Sequence, residues 1–141
     1  MTTDDNKALM RRWHDEMNKH SADACDEMLA DDYREENNMA PAPLDKAGAK
    51  ALLEALFSAV PDMHRDIVEQ VAEGDAVFER LRYTGTQKGE MFGIPATGRR
   101  AEFDAVMRSR VKDGKIVEIW ALLDSMSFMR QLGCDSGVSA G

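Results

Sequence analysis

Cysteine is scarce: Cys25 and Cys134 are the two, and they stand in no metal-binding spacing. That excludes a zinc ribbon or a disulfide-stapled framework and fits a reducing cytoplasm. Histidine is nearly as rare. His14, His20 and His64 lie far apart, with no local pair at ligand spacing, so no metal is expected. No apolar run approaches the length of a membrane span. The acidic start Met1-Thr2-Thr3-Asp4-Asp5-Asn6 has no apolar h-region, so no signal peptide is expected. A phosphate-cradling glycine loop and a Ser or Cys nucleophile motif are both absent, which leaves a cofactor-free pocket as the expectation. Basic charge is also short, 18 Lys and Arg against 26 Asp and Glu for a net charge of −8. A nucleic-acid or anionic-membrane surface needs the opposite balance.

What is present is an ordinary globular composition, 141 residues with 43% apolar and 31% charged. This is enough for one core and not for two. One domain is expected over residues 1–133, with a frayed tail of small residues over 134–141. Asp4 or Asp5 can cap a helix to about Lys19 with Leu9, Met10, Trp13 and Met17 on one face. Ser21 caps a short helix from Ala22 to about Leu29. The polar stretch from Asp31 to Pro43 reads as loop with a few extended residues around Tyr33. Asp45 opens a helix to about Ala59, with Leu52, Leu53, Leu56 and Phe57 inward, and Pro61-Asp62 stops it.

The period then changes to two. Strands are expected over His64–Ala72, Ala76–Thr86, Ala101–Val111 and Lys115–Leu123, with turns at Gly74-Asp75 and Asp113-Gly114. Lys88 to Gly98 is loop, and a short helix follows over about Ser125–Gln131. Helices first and an antiparallel sheet after them make an α+β fold, with the helices on one face of the sheet. With a two-residue turn at Asp113-Gly114, Phe103 faces Asp124, Ala105 faces Leu122 and Met107 faces Trp120. Those six form an apolar, aromatic wall with one acid. Asp104, Val106, Arg108 and Arg110 share the other face with Val117, Ile119, Ala121 and Leu123. A bulge at Gly114 would flip one strand.

Asp124 ends the apolar strand Ile116-Val117-Glu118-Ile119-Trp120-Ala121-Leu122-Leu123. A carboxylate there either loses hydration and becomes a general acid/base, or caps the helix that starts at Ser125. Trp13 reads as core and Trp120 as pocket wall, either able to stack an aromatic ligand. Tyr33 and Tyr83 are phenols that could donate to a developing enolate oxygen, Tyr33 from the rim. Glu79, Arg80 and Arg82 are explained by cross-strand pairs with Asp66, Glu69 or Gln70. His14 reads as a surface helix residue that could turn inward. Asp104, Arg108 and Asp124 supply the residue types of an epoxide-hydrolase site.

The run Gly85-Thr86-Gln87-Lys88-Gly89-Glu90-Met91-Phe92-Gly93-Ile94-Pro95-Ala96-Thr97-Gly98-Arg99, followed by Asp113-Gly114-Lys115-Ile116-Val117-Glu118-Ile119-Trp120 and Asp124, resembles the SnoaL-like polyketide cyclases. Phe57-Ser58-Ala59-Val60-Pro61-Asp62-Met63-His64 and the Gly74-Asp75 turn extend the likeness from Lys7 to Gly133. The resemblance implies a cone of the nuclear-transport-factor-2 (NTF2-like) type, a curved sheet wrapped around helices over a deep pocket, and a homodimer formed through the sheet. It implies a small, mostly apolar carbonyl substrate, no cofactor, and lyase or isomerase chemistry with Asp124 as acid/base. Where the family places a histidine after the second helix, this chain has Tyr33-Arg34-Glu35-Glu36-Asn37, so Glu36 or a neighbour takes that place. A second family histidine is replaced within Met107-Arg108-Ser109-Arg110. Trp13, Met17, Tyr33, Phe57, Tyr83, Phe103, Met107 and Trp120 are the expected substrate contacts, and a small-molecule-binding domain without chemistry is the alternative.

Overall fold

A computed structural model describes residues 2–133; the tail expected over 134–141 lies outside the described residues. The elements run α1 (Thr3–Asn18), α2 (Ala24–Met28), β1 (Leu29–Asn37), α3 (Lys46–Ala59), β2 (His64–Glu73), β3 (Ala76–Thr86), β4 (Arg100–Lys112), β5 (Lys115–Leu123) and α4 (Ser125–Gln131). The five strands form one curved sheet in the order β1-β5-β4-β3-β2. Only the β1–β5 pairing is parallel. Helix α1 crosses β2 and β3 with Met10, Trp13 and Met17 buried against the sheet. Its cap is Thr2, whose hydroxyl accepts from Asp5 N while Asp5 bonds back to Thr2 N, rather than Asp4 or Asp5. Asp45 caps α3 as expected, through Gly48 N at 2.8 Å.

Three readings of the sequence change. The stretch after α2 is a full strand and not a few extended residues in a loop: Leu29–Asn37 pairs with β5, and Tyr33 is 1% exposed instead of standing at a rim. The Asp113-Gly114 turn does hold two residues, both at positive φ (52° and 75°), with Lys112 opposite Lys115. The bulge lies further on. Val111 pairs with Ile116 but Arg110 pairs with Glu118, so Val117 is the extra residue on β5. From there every β5 side chain faces the opposite way from a simple two-residue hairpin. Met107 meets Ala121, Arg108 meets Trp120 and Val106 meets Leu122. Ile119, Ala121 and Leu123 therefore face the helices, while Trp120, 39% exposed, and Leu122 stand on the outer face. Trp120 is not a wall of the interior.

Gly85 lets β3 pass the end of α3. A Cβ there would lie 2.4 Å from Val60 Cγ1. The Lys88–Gly98 loop is organised by Gln87, which is buried. Its amide donates to Ile94 O (3.0 Å) and accepts from Thr97 Oγ1 (2.7 Å). A buried side chain that satisfies both ends of a loop fixes where Met91 and Phe92 stand.

Candidate functional site

An apolar cleft opens where the ends of β3, β4 and β5 meet α4. It encloses about 370 Å³ including its mouth, and its walls include Met63, Tyr83, Phe103, Leu123, Ser125 and Phe128. A second apolar chamber of about 340 Å³ shares Met63, Tyr83, Met91, Phe103 and Phe128 with it. Tyr83 stacks on Phe103 with ring centres 5.4 Å apart, and Phe103 tilts against Phe128 at 5.0 Å. Such offset aromatic contacts hold a flat wall in one geometry.

Asp124 sits beside this cleft, at the junction of β5 and α4. Its N–H donates to Asp104 O (3.0 Å) and its Oδ1 accepts from Ser127 N (3.2 Å). Asn38 braces the preceding residue, donating to Leu123 O and accepting from Leu123 N, each at 2.8 Å. Gln131 ties α4 to β4 by bonds to Glu102 N and O (2.8 and 2.7 Å). The expectation of a desolvated carboxylate is corrected: Asp124 is exposed and is the N-cap of α4. Backbone and cap bonds make it a fixed carboxylate.

The interior above the sheet is polar in a way the sequence did not announce. His14 and Glu79, each 2% exposed, meet at 2.8 Å, and Gln70 donates to the other Glu79 oxygen at 3.0 Å. His14 is therefore an interior residue, not a surface one. Burial holds its imidazole below the ordinary range, with the Glu79 bond opposing that shift. Tyr33 donates to Glu35 Oε1 (2.7 Å) and Asn37 to Glu35 Oε2 (2.8 Å). Burial first, then Glu35, keeps the Tyr33 phenol protonated by raising its pKa well above the usual value. Cys25 is buried and its thiol is pushed up to about 11 by burial, so it is no thiolate nucleophile near neutrality.

The expected contacts thus divide. Tyr83 and Phe103 line the cleft. Trp13, Met17, Tyr33, Phe57 and Met107 are packed in the core beneath it. Glu36 and Trp120 lie together on the outer face, in a shallow groove with Arg34, Arg108 and Glu118. The inward neighbour is Glu35. The epoxide-hydrolase set does not assemble, because Asp104 is held by Arg82 and Arg80 and Arg108 is bonded to Glu118. Among the described residues no cluster of three His, Cys, Asp or Glu is arranged to hold a metal. None of the described helices is long and apolar enough to cross a membrane.

Comparison with known proteins agrees with this architecture. The SnoaL-like polyketide cyclase model matches residues 7–132. Aklanonic acid methyl ester cyclase DnrD of Streptomyces peucetius is 30% identical over 130 residues, covering 89% of this chain and 88% of that protein. Among solved structures, TsrD of Streptomyces laurentii superposes with a TM-score of 0.85 at 27% identity, covering 95% of this chain and 98% of the other. A SnoaL-like polyketide cyclase of Agrobacterium tumefaciens gives 0.77 at 25% identity, over 94% and 100% of the two chains. The cone-shaped α+β sheet and the length of the match lead to one conclusion: the chain belongs to the SnoaL-like polyketide cyclase family.

Proposed function

We propose that this protein performs a cofactor-independent ring closure or isomerisation next to a carbonyl, with Asp124 as the base. The observation that carries the reading is the position of Asp124: fixed by bonds to Asp104 and Ser127, adjacent to Ser125 in the cleft wall, with Oδ2 unbonded among the described residues. A carboxylate with one oxygen held and one free suits proton abstraction from a carbon acid. For an aldol closure, Asp124 takes the proton α to a carbonyl. The resulting enolate carbon attacks a second carbonyl carbon, and the alkoxide formed takes a proton back, so no net proton is consumed. The apolar walls keep water from the enolate. The second acid/base role expected at Glu36 has no part in this reading, because Glu36 lies with Trp120 on the outer face.

Aklanonic acid methyl ester, the substrate in the name of the Streptomyces peucetius relative, is the first compound to try. Asp124→Asn is expected to keep the melting temperature and lower turnover by about a hundredfold or more. Full activity in that variant would end the proposal. A second reading, a binding domain without chemistry, is favoured by the exposure of Asp124 and its cap role. Under it, ligand binds equally to the native and Asp124→Asn forms and no product appears.

The family reading also carries a homodimer through the outer face of the sheet, where Val71, Phe78, Val106, Trp120 and Leu122 are exposed together. Light scattering should give a dimer that Trp120→Glu with Leu122→Glu converts to monomer. A cytoplasmic location is part of the same reading.

A further inference from the structure

Arg65 on β2 lies opposite Tyr83 on β3, and Tyr83 lies opposite Phe103 on β4. Arg65 is 6% exposed, with its guanidinium carbon 4.8 Å from the Tyr83 ring centre. Asn18 clamps its backbone from both sides, accepting from Arg65 N and donating to Arg65 O. Its charge reaches His14, Tyr33 and Tyr83, so it points into the interior. Yet among the described residues its side chain makes no hydrogen bond and no ion pair, only the contact with the Tyr83 ring. Burying an unpaired cation is costly, and a ring face compensates only part of that cost.

The two interior carboxylates have other partners. Glu79 takes bonds from His14 and Gln70, and Glu35 takes bonds from Tyr33 and Asn37. The Tyr83 hydroxyl is likewise without a partner among the described residues, and burial keeps it protonated and able to donate. Among the described residues, the side-chain polar atoms sealed inside without a partner are Asn6 Oδ1, His14 Nδ1, Arg108 Nε and Ser109 Oγ. No atom of Arg65 or Tyr83 is among them, so these donors are not sealed from solvent. Tyr83 is itself a wall of the cleft.

Building on the reading of the cleft as the substrate site, we propose that Arg65 and the Tyr83 hydroxyl form an anion-recognition site on its inner wall, and that the natural ligand carries a carboxylate there. A guanidinium fork matches a carboxylate in geometry as well as charge, and an ester offers it no charge to meet. β2 lies three strands from β5, about 14 Å at roughly 4.8 Å per strand. Arg65 therefore anchors a part of the ligand remote from the carbon that Asp124 would deprotonate. It is a binding and orienting residue, not a catalytic one.

Anthraquinone carboxylate and its methyl ester, titrated calorimetrically into the full chain, test this directly. The acid should bind native protein about ten- to a hundredfold more tightly than the ester, the range for hydrogen bonds to a charged group. Arg65→Met should erase that preference and Arg65→Lys should keep part of it. Equal affinities of acid and ester for native protein, or a preference that survives Arg65→Met, would overturn the inference alone. Binding of neither compound would overturn it together with the cleft reading. The native comparison decides even if Arg65→Met does not fold.

Discussion

On the outer face of β3, Arg80 and Arg82 share Asp104 and reach Glu69 and Glu102 on the strands beside them. One residue away on the inner face, the Glu79 carboxylate bonds to His14 and Gln70. A second outer ladder runs from Asp75 through Arg110 and Glu118 to Arg108. Outside, charges meet opposite charges in water, where each pair gains little and the array mainly keeps the face soluble and in register. Inside, each acid is held by a neutral amide, phenol or imidazole, and the buried guanidinium of Arg65 forms no ion pair among the described residues. The same residue types are thus structural decoration on one face and candidate chemistry on the other.

The contrast can be broken most severely at Glu79. Glu79→Ala leaves the buried His14 and Gln70 without their acceptor and is expected to cost about 3 kcal/mol in urea unfolding. Replacing both partners, His14→Leu with Glu79→Leu, should recover most of that loss, because an apolar pair carries no desolvation penalty. A double variant as unstable as Glu79→Ala would mean that the pair is needed for more than mutual satisfaction.

The next effect is one of pH. Burial depresses the His14 pKa in the folded protein, so the unfolded chain binds a proton below about pH 6.5 that the native state resists. This contribution to stability is complete above that range and is lost as pH falls through it toward the folded value. The native melting temperature should therefore drop between about pH 7.5 and 5.5, and the His14→Leu, Glu79→Leu protein should lack that component. An identical slope in both would remove His14 from the account. The smallest effect belongs to the outer ladder. Arg82→Ala should leave the urea midpoint without resolvable change, and any difference should vanish in high salt.

Much of this was legible in the chain. The Asp45 cap and the apolar spacing of Leu52, Leu53, Leu56 and Phe57 mark α3, and Asp113-Gly114 marks the β4–β5 turn. The bulge at Val117 was not legible, because one extra residue leaves no compositional trace yet reverses which of Trp120 and Ala121 faces inward. β1 was missed because Asp31-Asp32-Tyr33-Arg34-Glu35-Glu36-Asn37 has strand alternation without strand-forming residues, its stability coming from β5. Glu79 left a usable signal: it shares period-two positions with Val77, Leu81 and Tyr83, all buried. An acid on an apolar face needs an interior partner. Its partner, His14, sits 65 residues away on α1, and only the fold brings the two together.

The claim that Asp124 is the base is tested most directly by isotope exchange. The native protein and Asp124→Asn are each incubated with aklanonic acid methyl ester in heavy water, and deuterium at the carbon α to the reacting carbonyl is followed by NMR. Native protein should exchange the hydrogen at that carbon for deuterium or close the ring, and the Asn variant, equally folded, should do neither. Equal incorporation by the two proteins would contradict the account.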